Sequence, residues 1–199
     1  MFKLIFATNN QHKVDEIQAA IGNKIEVISL QQAGIAIDIP EPYNSLEANA
    51  SEKSHTIYRL TRKSCFSEDT GLEVKALQGE PGVHSARYAG DEKSFEKNTQ
   101  KLLDKLGNLT DRTARFRTVI SLIWKDEEFL FEGICEGTIG FTSQGTGGFG
   151  YDPVFYPLGS DRSFGEMSID EKTQYSHRKK AADKLVIFLQ ERAQTVESD

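Results

Sequence analysis

Leu4-Ile5-Phe6-Ala7-Thr8-Asn9-Asn10-Gln11-His12-Lys13 decides the fold class. Its first residues are an apolar run of strand length. Val14, Ile17 and Ile21 then recur at helical spacing, which predicts a helix starting near Asn10. A buried strand running directly into a helix is the opening unit of an α/β protein. The polar link from Thr8 to Lys13 offers the first free N–H groups of the helix, with Lys13 as a point positive charge on its first turn. Phosphate binding and ordinary helix capping explain this link equally well. It lacks the glycines of a Walker loop, and His12 reads as a solvated first-turn residue.

Outward from this stretch, a second strand is expected at Ile25 to Leu30. An irregular segment from Ile35 ends in Pro40-Glu41-Pro42, where proline removes ladder donors. Asn44 and Glu47 have capping-box spacing and predict a helix through about Leu60. Cys65 to Glu68 reads as a strand that delivers Asp69-Thr70-Gly71 at its C-terminal end. Phe95, Thr99, Leu102, Leu103 and Leu106 predict an amphipathic helix. Phe116 to Trp124 and Glu128 to Phe141 predict a long antiparallel hairpin turning at Lys125 to Glu127. Ser168 and Glu171 again have capping-box spacing. A last helix carries Ala181, Leu185 and Leu189 on one stripe, with His177 and Arg178 in its first turn and a frayed tail after about Ala193. Phe129, Phe131, Phe141 and Trp124 are expected in the core.

The chain has 199 residues, enough to bury a core without disulfides, and its formal net charge is -6. That balance argues against a general nucleic-acid binder, which needs a basic footprint. No run approaches the roughly 20 apolar residues of a membrane span, and the N-terminal apolar run is too short for a secretion signal. Cys65 and Cys135 lack metal-ligand or redox spacing and are expected to be buried free thiols. A soluble cytoplasmic protein with no nucleic-acid or membrane partner is the expectation.

Several polar residues are not demanded by folding. Asp69, after an apolar strand and before a glycine, would sit where α/β sheets collect ligands, or would be a turn aspartate bonding its own backbone. Glu41 is a candidate metal ligand or a solvated loop acid. Gly145-Thr146-Gly147-Gly148-Phe149-Gly150-Tyr151-Asp152-Pro153 holds four glycines around two aromatics. A nucleobase slot needs such close backbone approach and a flat apolar face; a tight structural loop is the rival. Ser176-His177-Arg178 could meet an anion or a carbonyl, and His177 could equally be a partly buried structural histidine. Lys53 and Lys172 by themselves read as solvated surface.

Together these pieces resemble the inosine/xanthosine triphosphate pyrophosphatase family. The resemblance rests on Ala7-Thr8-Asn9-Asn10-x-x-Lys13, Glu68-Asp69-Thr70-Gly71-Leu72, Pro81-Gly82-Val83-His84-Ser85-Ala86-Arg87-Tyr88, the glycine-rich stretch and Ser176-His177-Arg178, in order over nearly the whole chain. It implies an α/β fold with a mixed twisted sheet flanked by helices: one domain over residues 1–195, with two lobes and a central nucleotide cleft. It also implies a homodimer that uses Mg2+ to convert ITP, dITP or XTP to the monophosphate and pyrophosphate. Asp69 would be the catalytic carboxylate, with Glu41 and Asp69 at the metal. Thr8, Asn9, Asn10, Lys13, Lys53 and Thr70 would meet the triphosphate. Phe149, Gly150, Tyr151, Asp152, Lys172, His177 and Arg178 would form the base and sugar side. The chain departs from the family in having Glu68 where a second aspartate is frequent and Ala48-Asn49-Ala50 where Glu-Asn-Ala is frequent. The alternatives are a nucleotide pyrophosphatase of broader or modified-pyrimidine specificity and a nucleotide-binding domain without catalysis.

Overall fold

A computed structural model describes residues 2–196. In chain order the elements are β1 (Phe2–Phe6), α1 (Gln11–Ile21), β2 (Ile25–Ser29), α2 (Leu46–Thr61), β3 (Cys65–Val74) and β4 (Pro81–Gly82). Then follow α3 (Phe95–Leu106), β5 (Thr113–Trp124), β6 (Glu127–Ile139), β7 (Phe155–Pro157), α4 (Ile169–Tyr175) and α5 (His177–Val196). The strands pair in the order β2-β1-β3-β5-β6-β7, with β4 added on β3. Pairing is parallel where Leu4 meets Val27 and Ile5 meets Cys65, and antiparallel where Leu72 meets Gly82 and Thr138 meets Tyr156. The sheet is mixed and the class is α/β.

The described residues divide into two compact units. The first is drawn from Met1–Asp69, Thr118–Gly133 and Arg178–Asp199, the second from Thr70–Arg117 and Ile134–His177. In the first unit β1 is buried on both faces, as parallel strands with helices on either side must be. Leu4 and Phe6 pack with Ile17, Ile21, Ile25 and Leu185, while Ile5 and Ala7 pack with Ile57 and Cys65. Phe6 stacks on Phe66 with ring centroids 4.5 Å apart. Each such side chain stabilises the fold by about 1.5–3 kcal/mol through burial. In the second unit Leu72, Leu102, Leu106, Phe116, Phe155 and Phe164 share one core.

Local chemistry sets the element boundaries. The Asn10 side chain accepts from the Lys13 N–H and starts α1; Gly22 at φ 57° ends it. The second helix is capped by Ser45, whose Oγ accepts from the Ala48 N–H at 3.2 Å, so the cap falls one residue after the expected Asn44. Ser168 and Glu171 form the expected capping box on α4. The β5–β6 hairpin turns through Lys125 and Asp126, both at positive φ (51° and 70°), the backbone of a tight two-residue connection. Cys65 and Cys135 are buried thiols, not joined in a disulfide.

Three expectations are corrected. Phe141 is 65% exposed, because β6 ends at Ile139 and leaves the ring outside the core, under the Arg112 guanidinium at 4.3 Å. Asp69 does not end a strand: β3 continues to Val74. Asp-Thr-Gly reads as a turn from composition, but Gly71 serves close strand approach, since a Cβ there would lie 2.6 Å from the Gly82 carbonyl oxygen. The expected frayed tail also differs, as α5 runs to Val196 and residues 197–199 lie outside the described residues.

Candidate functional site

The first unit gathers charge around β3. Asp69 is 6% exposed and accepts from Asn49 Nδ2 at 3.2 Å and from Lys53 Nζ at 3.5 Å. The same Lys53 ammonium donates to Glu41 at 2.5 Å. Asn49 also bonds the backbone N–H and carbonyl of Tyr43, so one α2 amide ties the Glu41 loop to the Asp69 carboxylate. Burial pushes the Asp69 carboxyl above its ordinary range, although Lys53 and Lys13 pull the other way. Burial opposes the charge on Lys53, but Asp69 and Glu41 outweigh it and hold the ammonium above its ordinary range. Lys53 is 6% exposed, which overturns its reading as a surface lysine.

Strand alternation sends the neighbouring carboxylate elsewhere. Glu68 accepts from Arg178 Nε at 3.0 and 2.8 Å and pairs with Lys13 Nζ at 3.1 Å. Arg178 also bonds Glu16. Burial disfavours the Glu68 charge, yet Arg178 and Lys13 outweigh it and hold the carboxyl down at about 2. Arg178 is held above its ordinary range by Glu68 and Glu16 against the cost of burial. This buried network was not legible in sequence: Glu16 carried no signal beyond lying one helical turn after Lys13, and Asn49 appeared only as part of a departure from the family pattern.

The Thr8–Lys13 link supplies its own caps. Thr8 Oγ1 accepts from the Asn10 N–H at 3.1 Å, Asn10 caps α1, and Asn9 Nδ2 donates to the Ile37 carbonyl at 2.9 Å. His12 is exposed, as expected. Among the described residues no group of three or more His, Cys, Asp or Glu side chains is arranged to hold a metal. Glu41 and Asp69 nevertheless bring two carboxylates to one lysine, an all-oxygen donor set of the kind that would suit a hard divalent cation.

The second unit is built differently. A buried ion pair joins Asp152 to Lys172 at 2.5 Å, with side chains 3% and 5% exposed. Asp152 also accepts from the Phe149 N–H at 2.8 Å, and the Lys172 ammonium lies 5.2 Å from the Phe149 ring centroid. Lys172 is therefore not a surface residue either. Two of the glycines around them are required by close approach within the protein. A Cβ on Gly145 would lie 2.1 Å from the Gly165 carbonyl oxygen, and one on Gly148 would lie 2.1 Å from an Asp152 carboxylate oxygen. The tight-loop reading thus accounts for these two, while Phe149 stays half-buried at the loop's turn. Tyr151 is placed in the core, its hydroxyl donating to the Ser85 carbonyl at 2.8 Å. His177 is buried and stacks on Phe116, ring centroids 4.8 Å apart. Thr70, the first residue of this unit, is half-buried on β3.

Known proteins share this architecture throughout. The Ham1 family profile matches residues 4–188. The chain belongs to the Ham1 family. Among Ham1 relatives, a Porphyromonas gingivalis protein named dITP/XTP pyrophosphatase is 48% identical over 190 residues, covering 95% of this chain and 98% of the relative. A Staphylococcus aureus protein of the same name is 41% identical over 190 residues, covering 95% and 97%. The solved structure of the Staphylococcus aureus Ham1 protein superposes with a TM-score of 0.85 at 40% identity, covering 96% of this chain and 99% of that one. A HAM1 protein from Coxiella burnetii gives 0.86 at 32% identity, covering 96% and 100%. No helix among the described residues is long and apolar enough to cross a membrane.

Proposed function

We propose that this chain is a nucleoside triphosphate pyrophosphatase that hydrolyses dITP, ITP and XTP to the nucleoside monophosphate and pyrophosphate, clearing deaminated purines from the precursor pool. The observation that carries the reading is the convergence of Lys53 and Asn49 on the Asp69 carboxylate, with Glu41 on the same Lys53 ammonium, in a chain whose Ham1 relatives are named for this activity.

Thr8, Asn9, Asn10, Lys13, Lys53 and Thr70 are assigned to the triphosphate. Its dense negative charge must be offset before a nucleophile can approach, and Lys13 and Lys53 provide fixed positive charge. Mg2+ fits the two carboxylates of Glu41 and Asp69, and when bound it would supply charge neutralisation at phosphate oxygens. Asp69 accepts the proton of a water aimed at the α-phosphorus. The α–β anhydride bond breaks and pyrophosphate leaves. A free aspartate, with a pKa of about 4, is a weak base; burial of Asp69 shifts it in the useful direction.

Phe149, Gly150, Tyr151, Asp152, Lys172, His177 and Arg178 are assigned to the base and sugar. A 6-oxo purine presents an acceptor at O6 and a donor at N1, and adenine presents the reverse. Lys172 is a donor fixed beside the Phe149 ring by Asp152, so it suits O6 and leaves an adenine amino group facing a like donor. One mismatched buried bond costs about 1–3 kcal/mol. The enzyme works in the cytoplasm as a homodimer in this reading, as the family likeness implies. Size-exclusion chromatography with light scattering tests the dimer, and a monomer at micromolar concentration contradicts it.

The function is tested by steady-state release of monophosphate and pyrophosphate from ITP, XTP, dITP, GTP and ATP, with and without Mg2+. Metal-dependent, stoichiometric IMP and pyrophosphate from ITP, with ATP and GTP poor, is the expected result. Equal kcat/KM for ITP and ATP contradicts the base assignment; no turnover of any triphosphate contradicts the enzyme.

A further inference from the structure

Phe95 opens α3 immediately after the Ser94 cap, and it is 41% exposed, so packing in the core does not account for an aromatic ring there. Its centroid lies 5.9 Å from that of Phe149, with the rings inclined at 51°. One turn along the same helix, Thr99 Oγ1 donates to the Gly150 carbonyl at 3.3 Å. Residues four apart share a helix face, so α3 touches the glycine-rich loop at two consecutive positions.

That loop needs holding. Phe149 sits between Gly148 at φ 71° and Gly150 at φ 63°, both in the left-handed region. Gly148 is pressed against the Asp152 carboxylate, whereas a Cβ on Gly150 would meet nothing within 4 Å. The second glycine therefore serves the backbone turn alone, and a residue between two glycines has little conformational restraint of its own. Asp152 fixes the Phe149 N–H, which anchors the backbone but leaves the ring to its neighbours.

We propose that Phe95 and Thr99 are positioning residues for base recognition: from one face of α3 they hold the Phe149 ring in the orientation that receives the purine. This rests on the assignment of Phe149 to the base and adds residues that no sequence motif marked. The phosphorus under attack belongs to a different part of the substrate, so the pair acts on binding and not on the chemical step. Aromatic pairs of this kind are worth about 2- to 10-fold in an equilibrium constant.

The test compares the wild type with Phe95→Ala, Phe95→Tyr, Phe149→Leu and the Phe95→Ala/Phe149→Leu double variant. KM and kcat are read for dITP, Kd for dIMP by calorimetry, and Tm as a check on folding. Phe95→Ala is expected to raise KM and Kd by about 3- to 10-fold, with kcat within about twofold and Tm unchanged, since the ring is at the surface. Phe95→Tyr should restore wild-type values. Phe149→Leu should weaken binding at least as much, and adding Phe95→Ala to it should change nothing further. A normal KM and Kd in Phe95→Ala beside an impaired Phe149→Leu would overturn the positioning role while leaving Phe149 on the base. Fully additive losses would overturn it too. Normal binding by Phe149→Leu would remove the base assignment itself, and this inference with it.

Discussion

The two units solve the problem of burying charge in opposite ways. In the first, Glu16, Glu41, Glu68 and Asp69 are balanced by Lys13, Lys53 and Arg178, drawn from helices, a strand and a loop. In the second, the Asp152–Lys172 pair sits among Phe149, Phe164 and backbone. The difference fits the proposed assignment of Lys13 and Lys53 to phosphate and of Phe149 and Lys172 to the base. Phosphates need several fixed charges whose protonation does not drift, whereas a purine base needs one directional donor and flat apolar surface. Within the first unit the contrast sharpens at adjacent residues. Glu68, between two cations, is held at about 2, while burial raises its neighbour Asp69. The cations favour the anion at one carboxylate, and burial favours the neutral acid at the other.

Glu68→Gln should break this contrast with the largest effect on stability. It strands the Arg178 guanidinium, 2% exposed, beside a neutral amide. Loss of one partner of a buried pair costs about 3–5 kcal/mol. Urea denaturation measures it, and a loss below about 1 kcal/mol would mean that Glu16 alone suffices for Arg178.

Lys172→Gln should act on discrimination as well as on stability, since it takes the ammonium away from the buried Asp152 carboxylate. Removing the cation beside Phe149 is expected to lower the dITP/dATP ratio of kcat/KM by about tenfold, the equivalent of one lost charge-assisted bond. An unchanged ratio would move base selection to His177 or the loop backbone.

The smallest effect is expected at Glu128, which belongs to neither cluster. Burial tends to raise its carboxyl, but hydrogen bonds from Ser121 at 2.7 Å, from Ser51 and from His55 hold it below the ordinary range. A carboxyl lowered on folding contributes stability that is full above its unfolded value and lost as pH falls through its folded one. Thermal unfolding of Glu128→Gln should therefore show a shallower loss on acidification than the wild type. Parallel pH profiles would show that these bonds do not favour the anion.

The sequence carried the local part of this account. The β1–α1 unit, the hairpin and the Ser168 cap were legible because period, turn residues and caps act over a few positions. The passage of β3 through Asp69 was not, because Asp-Thr-Gly imitates a turn and only the pairing of Leu72 with Gly82 decides otherwise. The charge network was least legible. Arg178 reaches Glu68 across 110 positions and Glu16 across 162, and no short-range rule relates residues so far apart. Lys53 and Lys172 looked like solvated lysines for the same reason: their carboxylate partners lie 16 and 20 positions away.

The central claim is that Asp69 takes the proton in pyrophosphate release, and its most direct test is turnover of dITP by a folded Asp69→Asn variant whose Kd for dIMP is that of the wild type. In that variant kcat is expected to fall by about 100- to 10,000-fold while the fold and monophosphate binding persist. Near-normal kcat in that variant would contradict it and leave Asp69 a structural partner of Asn49 and Lys53.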